Sequence, residues 1–336
     1  TSEHRKALLK NMLNSLIKYE QIKNVNFFPF EEARSRAPRI DFGNSTHKIK
    51  NFSLRKWDFE INEIVKYIDW SPFFHAWELR GKYPSILNHE KYGEEANKVF
   101  SDGKNILNRI ISENILKPKA VIGIYDAHAK NETVFTEKMK FNFPRQLVDK
   151  GKDNSNFSLA DFIGPEHDYI GLFALTTGHG LEKLVDEFEN QNDDYNVIMA
   201  KVIADRLVEA FAERMHERVR TDFWGYANNE TMKKQDLIQE KFQGIRPAPG
   251  YPSCPSHIEK DAIWEILKVE DNAGIMLTET RAMNPAASIC GWYFSHPQSR
   301  YFGVGNIGKD QIIEYSGRKK MTVEQVEKWL GPWLDY

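Results

Sequence analysis

Gly244-Ile245-Arg246-Pro247-Ala248-Pro249-Gly250-Tyr251-Pro252-Ser253-Cys254-Pro255 sets four prolines and two glycines in twelve residues, which fixes the backbone without making it a helix or a strand. Proline holds φ near about −65° and donates no hydrogen bond, whereas glycine reaches conformations closed to other residues. The stretch is therefore a shaped loop whose free amides and carbonyls can point at a ligand. Arg246 offers a planar fork that matches a carboxylate, and Tyr251 an apolar ring with one polar tip. Together they suit a small zwitterion beside a larger flat partner. The same composition also suits a rigid connector between a helix and the next element, and loops that bind are ordered segments on a scaffold.

A chain of 336 residues can bury a substantial core, as one large domain or two modest ones. The formal net charge of −2, with no basic stripe carrying interleaved aromatics, excludes a nucleic-acid binder. Two cysteines, Cys254 and Cys290, make no disulfide framework and fit a reducing cytoplasm. No apolar run approaches the length needed to span a bilayer, and the N-terminus lacks the apolar core of a signal peptide. The start at Thr1 without an initiator methionine fits a domain cut from a longer enzyme.

Periodicity predicts an amphipathic helix over Leu8, Leu9, Met12, Leu13, Leu16 and Ile17, docked on the body. Across residues 27–59, Pro29, Pro38 and Gly43 predict an extended connecting segment with solvated charges, so residues 1–60 read as helix plus connector and 61–336 as the main domain. Ile61, Ile64, Val65 and Ile68 form a helical stripe ending before Pro72, which puts Asp69 near a helix end. There its carboxylate can cap the next turn or accept bonds from a ligand's ammonium or ribose hydroxyls. Further helices are expected over 93–115, from Asp193-Asp194 to about Arg220, and over 262–274, 311–318 and 323–330. Strands are expected over 120–125, 134–143, 169–176, 276–282 and 288–294. Glu209 has Arg206 and Glu213 at helical spacing, the pattern of a solvated ladder, yet it falls among Leu207, Val208, Ala210 and Phe211, as an acid facing a cleft does. Tyr301 and Phe302, adjacent aromatics, suit either core packing or covering a flat ring.

Three motifs fail on context. Asp126-Ala127-His128-Ala129-Lys130-Asn131 is similar to a cobalt-ligating Asp-x-His-x-x-Gly signature, but Asn131 replaces the glycine. Gly303-Val304-Gly305-Asn306-Ile307-Gly308 has dinucleotide-loop spacing without the βαβ unit that such a loop must open. Cys254-Pro255-Ser256-His257 offers two zinc ligands without a second pair. No nucleophile elbow, phosphate loop or His-Glu-x-x-His is present.

The run Arg246 to Pro255, with its lead-in Glu240-Lys241-Phe242-Gln243-Gly244-Ile245, resembles the S-adenosylmethionine-binding loop of the activation domain of cobalamin-dependent methionine synthase. Tyr67 to Phe74, Asp168-Tyr169-Ile170-Gly171, Ala204 to Phe211 and Gly291 to Pro297 agree in order and spacing, so the likeness spans nearly the whole chain from about the fiftieth residue. The resemblance implies a single α+β domain with a twisted, largely antiparallel sheet surrounded by helices. It also implies a methyltransferase role: S-adenosylmethionine supplies the methyl for reductive methylation of inactive cob(II)alamin, and the electron comes from flavodoxin or a related flavoprotein reductase. Cobalamin arrives on the neighbouring cobalamin-binding domain, and homocysteine methylation needs modules that no stretch here resembles. By the same resemblance Arg246 holds the methionine carboxylate, and Asp69 the amino or ribose end. Tyr301 and the Phe302 backbone hold the adenosine, and Glu209 lies near the ligand. Tyr251 faces the corrin, while backbone groups of Ala248 and Gly250 complete the grip. No acid–base residue and no protein metal ligand is implied. A non-catalytic regulatory module of the same fold that senses S-adenosylmethionine is the other reading.

Overall fold

Lys119–Lys130 is a twelve-residue strand, and its length lets it pair along both edges. In the computed structural model, which describes residues 26–43, 55–151 and 154–336, this strand (β2) anchors a six-stranded sheet. The sheet's other strands are β1 (Arg55–Asp58), β3 (Thr133–Thr136), β4 (Lys140–Asn142), β5 (Asp168–Thr176) and, beyond a small β6–β7 ribbon (Met276–Leu277 and Met283–Asn284), β8 (Ser288–Tyr293). The order is β4-β3-β2-β5-β8; β1 and β3 take the two ends of one edge of β2, and β5 runs along the other. Every pair is antiparallel.

The continuous apolar runs of β2, β5 and β8 are explained by burial on both faces, with side chains alternating between them. Ile122, Phe173, Leu175 and Tyr293 enter one core, and Val121, Leu172, Ala174 and Trp292 the other. The first core is covered by α1 to α6 apart from the short first helix: α1 (Phe30–Ser35), α2 (Ile61–Val65), α3 (Ser71–Ala76), α4 (Gly93–Ser112), α5 (Leu181–Asn190) and α6 (Asp194–Arg218). After α7 (Lys234–Ile238), α8 (Glu259–Leu267) and α9 (Val269–Ala273) cover the second, and α10 (Lys309–Lys319) and α11 (Val323–Leu330) close a small core of their own. This is the expected α+β fold. No helix among the described residues is long and apolar enough to cross a membrane.

Asp193 caps α6 as its sequence suggests, its carboxylate accepting the Asn196 amide at 3.1 Å. Several expected elements differ. The helix predicted over residues 8–17 lies outside the described residues. Residues 27–59 include α1 and β1, and Arg34 reaches inward to the fully buried Glu132 at 2.8 Å instead of lying in solvent. Pro72 opens α3, where its missing amide costs no bond. The strand over 134–143 is a hairpin turned at Glu137-Lys138, with Thr136 and Met139 joined at 2.8 Å. The helix over 262–274 breaks at Lys268 (φ 47°) and closes at Gly274. The strand over 276–282 is only the two-residue β6, because its chain turns back at Arg281 (φ 59°) to form the ribbon.

Candidate functional site

The proline-rich loop lies along the open edge of β8. Ile245 and Phe294 exchange backbone bonds at 3.0 Å each way, and the Trp292 amide donates to the Pro247 carbonyl at 3.0 Å. Prolines at 247 and 249 donate nothing outward, so the edge ends there. Gly291 makes the contact feasible, since a Cβ at that position would stand 2.2 Å from the Pro247 oxygen. Past Ala248 the chain folds into a tight turn: Tyr251 N donates to Ala248 O at 3.3 Å, Gly250 N to Cys254 O at 2.7 Å and Cys254 N to Tyr251 O at 2.9 Å. Gly250 adopts φ 92°, with the His257 ring against the place where a side chain would be.

This edge packs against α6, and Arg246 bridges the two. Its backbone amide donates to Tyr301 Oη at 3.0 Å, and its Nη2 meets Glu213 Oε2 at 3.1 Å. Burial pulls the guanidinium pKa down, but the surrounding negative charge, led by Glu213, outweighs it and the net shift is upward. Burial pushes the Tyr301 phenol up, against the nearby Arg246 charge. Arg246 Nε and Glu213 Oε1 are buried without a hydrogen-bond partner among the described residues.

Two cavities of about 500 and about 320 Å³ meet at this arginine and share Glu209, Glu240 and Arg246 as walls. The larger is bounded by Ala248, Tyr251, Tyr301 and Phe302, and the smaller by Tyr67, Asp69, Arg206 and Glu213. Together they form one groove, aromatic at one end and charged at the other. Asp69 reaches it from the turn before α3; its Oδ1 accepts the Ser71 amide at 2.9 Å, so it is a cap as well as a wall. Glu209 makes no hydrogen bond or ion pair among the described residues, and burial raises the Glu240 carboxyl above the ordinary glutamate range. Tyr251 and Tyr301 stand at the mouth, 53% and 39% exposed. The Phe302 ring leans on Phe157 and Phe162, with centroids 5.8 and 6.3 Å away.

Of the residues singled out in the sequence, Asp69, Glu209, Arg246, Ala248, Tyr251, Tyr301 and Phe302 line this groove. Gly250 does not, and its amide is spent on Cys254 inside the turn; it shapes the loop instead. Sequence reasoning passed over Glu213, the counter-ion of Arg246, as one rung of a surface ladder, and passed over Glu240 as mere lead-in. The signal for both was a surplus of acids around a single arginine.

Residues 60–320 match the family described as vitamin B12 dependent methionine synthase, activation domain. Among solved structures, the crystal structure of the MetH reactivation domain bound to AdoHcy aligns with a TM-score of 0.89 at 43% identity, covering 92% of this chain and 99% of that one. The sheet, the loop along its edge and these two matches agree: the chain belongs to the family of activation domains of vitamin B12-dependent methionine synthase.

Proposed function

We propose that the groove centred on Arg246 holds S-adenosylmethionine and presents its methyl group to cobalamin carried by a neighbouring domain. The observation that carries this reading is the convergence of residues from four distant parts of the chain, at positions 69, 209, 246–248 with 251, and 301–302, on one open groove. The solved relative is bound to AdoHcy, the demethylated form of the same ligand. A volume of about 500 Å³ suits a ligand of that size, and the wall chemistry fits it too. Tyr301 offers aromatic surface for the adenine, with the Phe302 backbone beside it, and Arg246 a cation for the carboxylate. Asp69, Glu209 and Glu240 set negative charge where a sulfonium cation is to lie.

When bound, S-adenosylmethionine supplies an electrophilic methyl, which reductive methylation of cob(II)alamin to methylcobalamin consumes together with one electron from flavodoxin or a related flavoprotein reductase. The chain's own task is position. Arg246 and Asp69 fix the amino-acid end, Tyr301 and the Phe302 backbone the adenosine, and Ala248 borders the larger cavity beside them. In this reading Tyr251, half out of the protein at the mouth, meets the corrin; its exposure supports that. No general base is required, because no proton leaves with the methyl. Residues 61–336 form this unit in our reading, in the cytoplasm, as Cys254 and Cys290, free and buried, are consistent with. Conversion of homocysteine to methionine is then the work of the domain together with cobalamin, folate and homocysteine modules. An open mouth beside an exposed Tyr251 favours this reading over a purely regulatory sensor.

Titration calorimetry with S-adenosylmethionine tests it. The unaltered domain binds, and Arg246→Ala, which removes a charged hydrogen bond, weakens binding by roughly 1.5–3 kcal/mol, or about tenfold to about 150-fold. No binding by the unaltered domain overturns the reading.

A further inference from the structure

Arg246 is held from two sides. Its backbone is fixed to β8 through the flanking residues, since Ile245 pairs with Phe294 and the Pro247 carbonyl accepts from Trp292. The side chain is fixed by α6, where Glu213 takes one terminal nitrogen at 3.1 Å. Glu209, one turn earlier on the same helix face, lines both cavities and takes no nitrogen of Arg246. The two glutamates therefore divide the work: both border the smaller cavity, but Glu213 is the one engaged with the arginine. Glu213 is itself backed by the interior: His216 and Arg220 follow it at helical spacing, both fully buried, and the His216 ring stacks on Tyr293 at 5.3 Å.

We propose that Glu213 is the positioning residue of the ligand groove: from inside the protein it orients the Arg246 guanidinium, leaving that group's other terminal nitrogen to meet the ligand's carboxylate. An unheld guanidinium has several rotamers to lose on binding, and a monodentate partner on one nitrogen removes that cost while leaving a donor available. A bidentate partner would have consumed the fork. Glu213 also borders the smaller cavity, but the role assigned to it is exercised through the Arg246 guanidinium that it holds.

The inference rests on the proposed binding of S-adenosylmethionine, and a double-mutant cycle separates the two. Dissociation constants for S-adenosylmethionine and S-adenosylhomocysteine are measured for the unaltered domain, Glu213→Gln, Arg246→Ala and the double variant, with circular dichroism melts on each. Glu213→Gln weakens binding on the order of tenfold in the unaltered background and leaves it within about twofold in the Arg246→Ala background. A Glu213→Gln domain that binds like the unaltered one, or loses the same factor in both backgrounds, overturns the positioning role while leaving the groove intact as a site. If the unaltered domain binds neither compound, the proposed function itself falls. Should Glu213→Gln fail to fold, nitrogen-detected NMR of the Arg246 guanidinium in the unaltered domain decides instead: restricted rotation of the terminal nitrogens supports the role, and free rotation overturns it.

Discussion

Gly291→Ala is the sharpest test of how the fold makes the groove. The backbone at 291 is one that any residue adopts, so the whole effect comes from contact: the added Cβ stands 2.2 Å from the Pro247 carbonyl oxygen and 3.1 Å from the Phe173 ring. To reach an ordinary carbon–oxygen separation of ~3.3 Å, the loop must retreat by about 1 Å. That stretches the 3.0 Å bond from the Trp292 amide beyond hydrogen-bonding range and orphans a donor under a fully buried tryptophan. An unpaired buried amide costs about 1–3 kcal/mol, and overpacking costs another ~1–3 kcal/mol. The stiffer unfolded chain returns no more than about 1 kcal/mol. A net loss of about 1–6 kcal/mol lowers Tm by roughly 1 °C to 8 °C at this chain length. Because Arg246 adjoins Pro247, the same 1 Å retreat misplaces the guanidinium, and binding of S-adenosylmethionine weakens by ~10-fold to ~100-fold. Scanning calorimetry and isothermal titration on the same preparation check both numbers. An alanine variant with unchanged Tm and unchanged affinity refutes the claim that the loop's contact with β8 sets the groove.

Tyr301→Phe keeps the ring and removes only the acceptor for the Arg246 amide, 3.0 Å away; ligand affinity falls by about twofold to about tenfold in titration calorimetry. Asp69→Asn retains an oxygen for the Ser71 amide and loses the charge, so affinity falls while Tm holds within about 1 °C; a lower Tm with unchanged affinity makes Asp69 a cap alone. His216 is fully buried, and burial, aided by the charges of Arg220 and Arg246, holds its imidazole pKa well below the ordinary histidine range. The unfolded chain therefore binds the proton more readily, and the stability His216 contributes is complete above the ordinary histidine pKa of ~6.5 and falls as pH drops, by up to about 1.4 kcal/mol per pH unit. Urea titrations from pH 8 to 5 show that slope in the unaltered domain and a shallower one in His216→Phe; parallel slopes contradict it.

The long elements were legible because periodicity is local. Asp193 announces the start of α6, and the β-branched run at 120–125 announces the centre of β2. Most of the groove was legible too, since a loop held rigid by its own prolines and glycines carries its shape in its composition. What escaped depended on partners remote in sequence. Nothing near Lys268 signals a left-handed residue in a helix, and nothing near Arg34 signals that Glu132 is buried and awaiting a cation. Glu209 and Glu213 look alike on α6 until Arg246, more than thirty residues on, engages only the second. Gly250 hid a remote partner in the same way: its free-looking amide bonds Cys254 within the turn.

Solving the domain crystallised with S-adenosylhomocysteine is the most direct measurement of the central claim, that one groove gathered around Arg246 is the ligand site. Density running from the Tyr301 and Phe302 end, past Arg246 and Glu209, toward Asp69 is the expected result. A ligand bound elsewhere, or a groove that stays clear of it at saturating concentration, would contradict the claim.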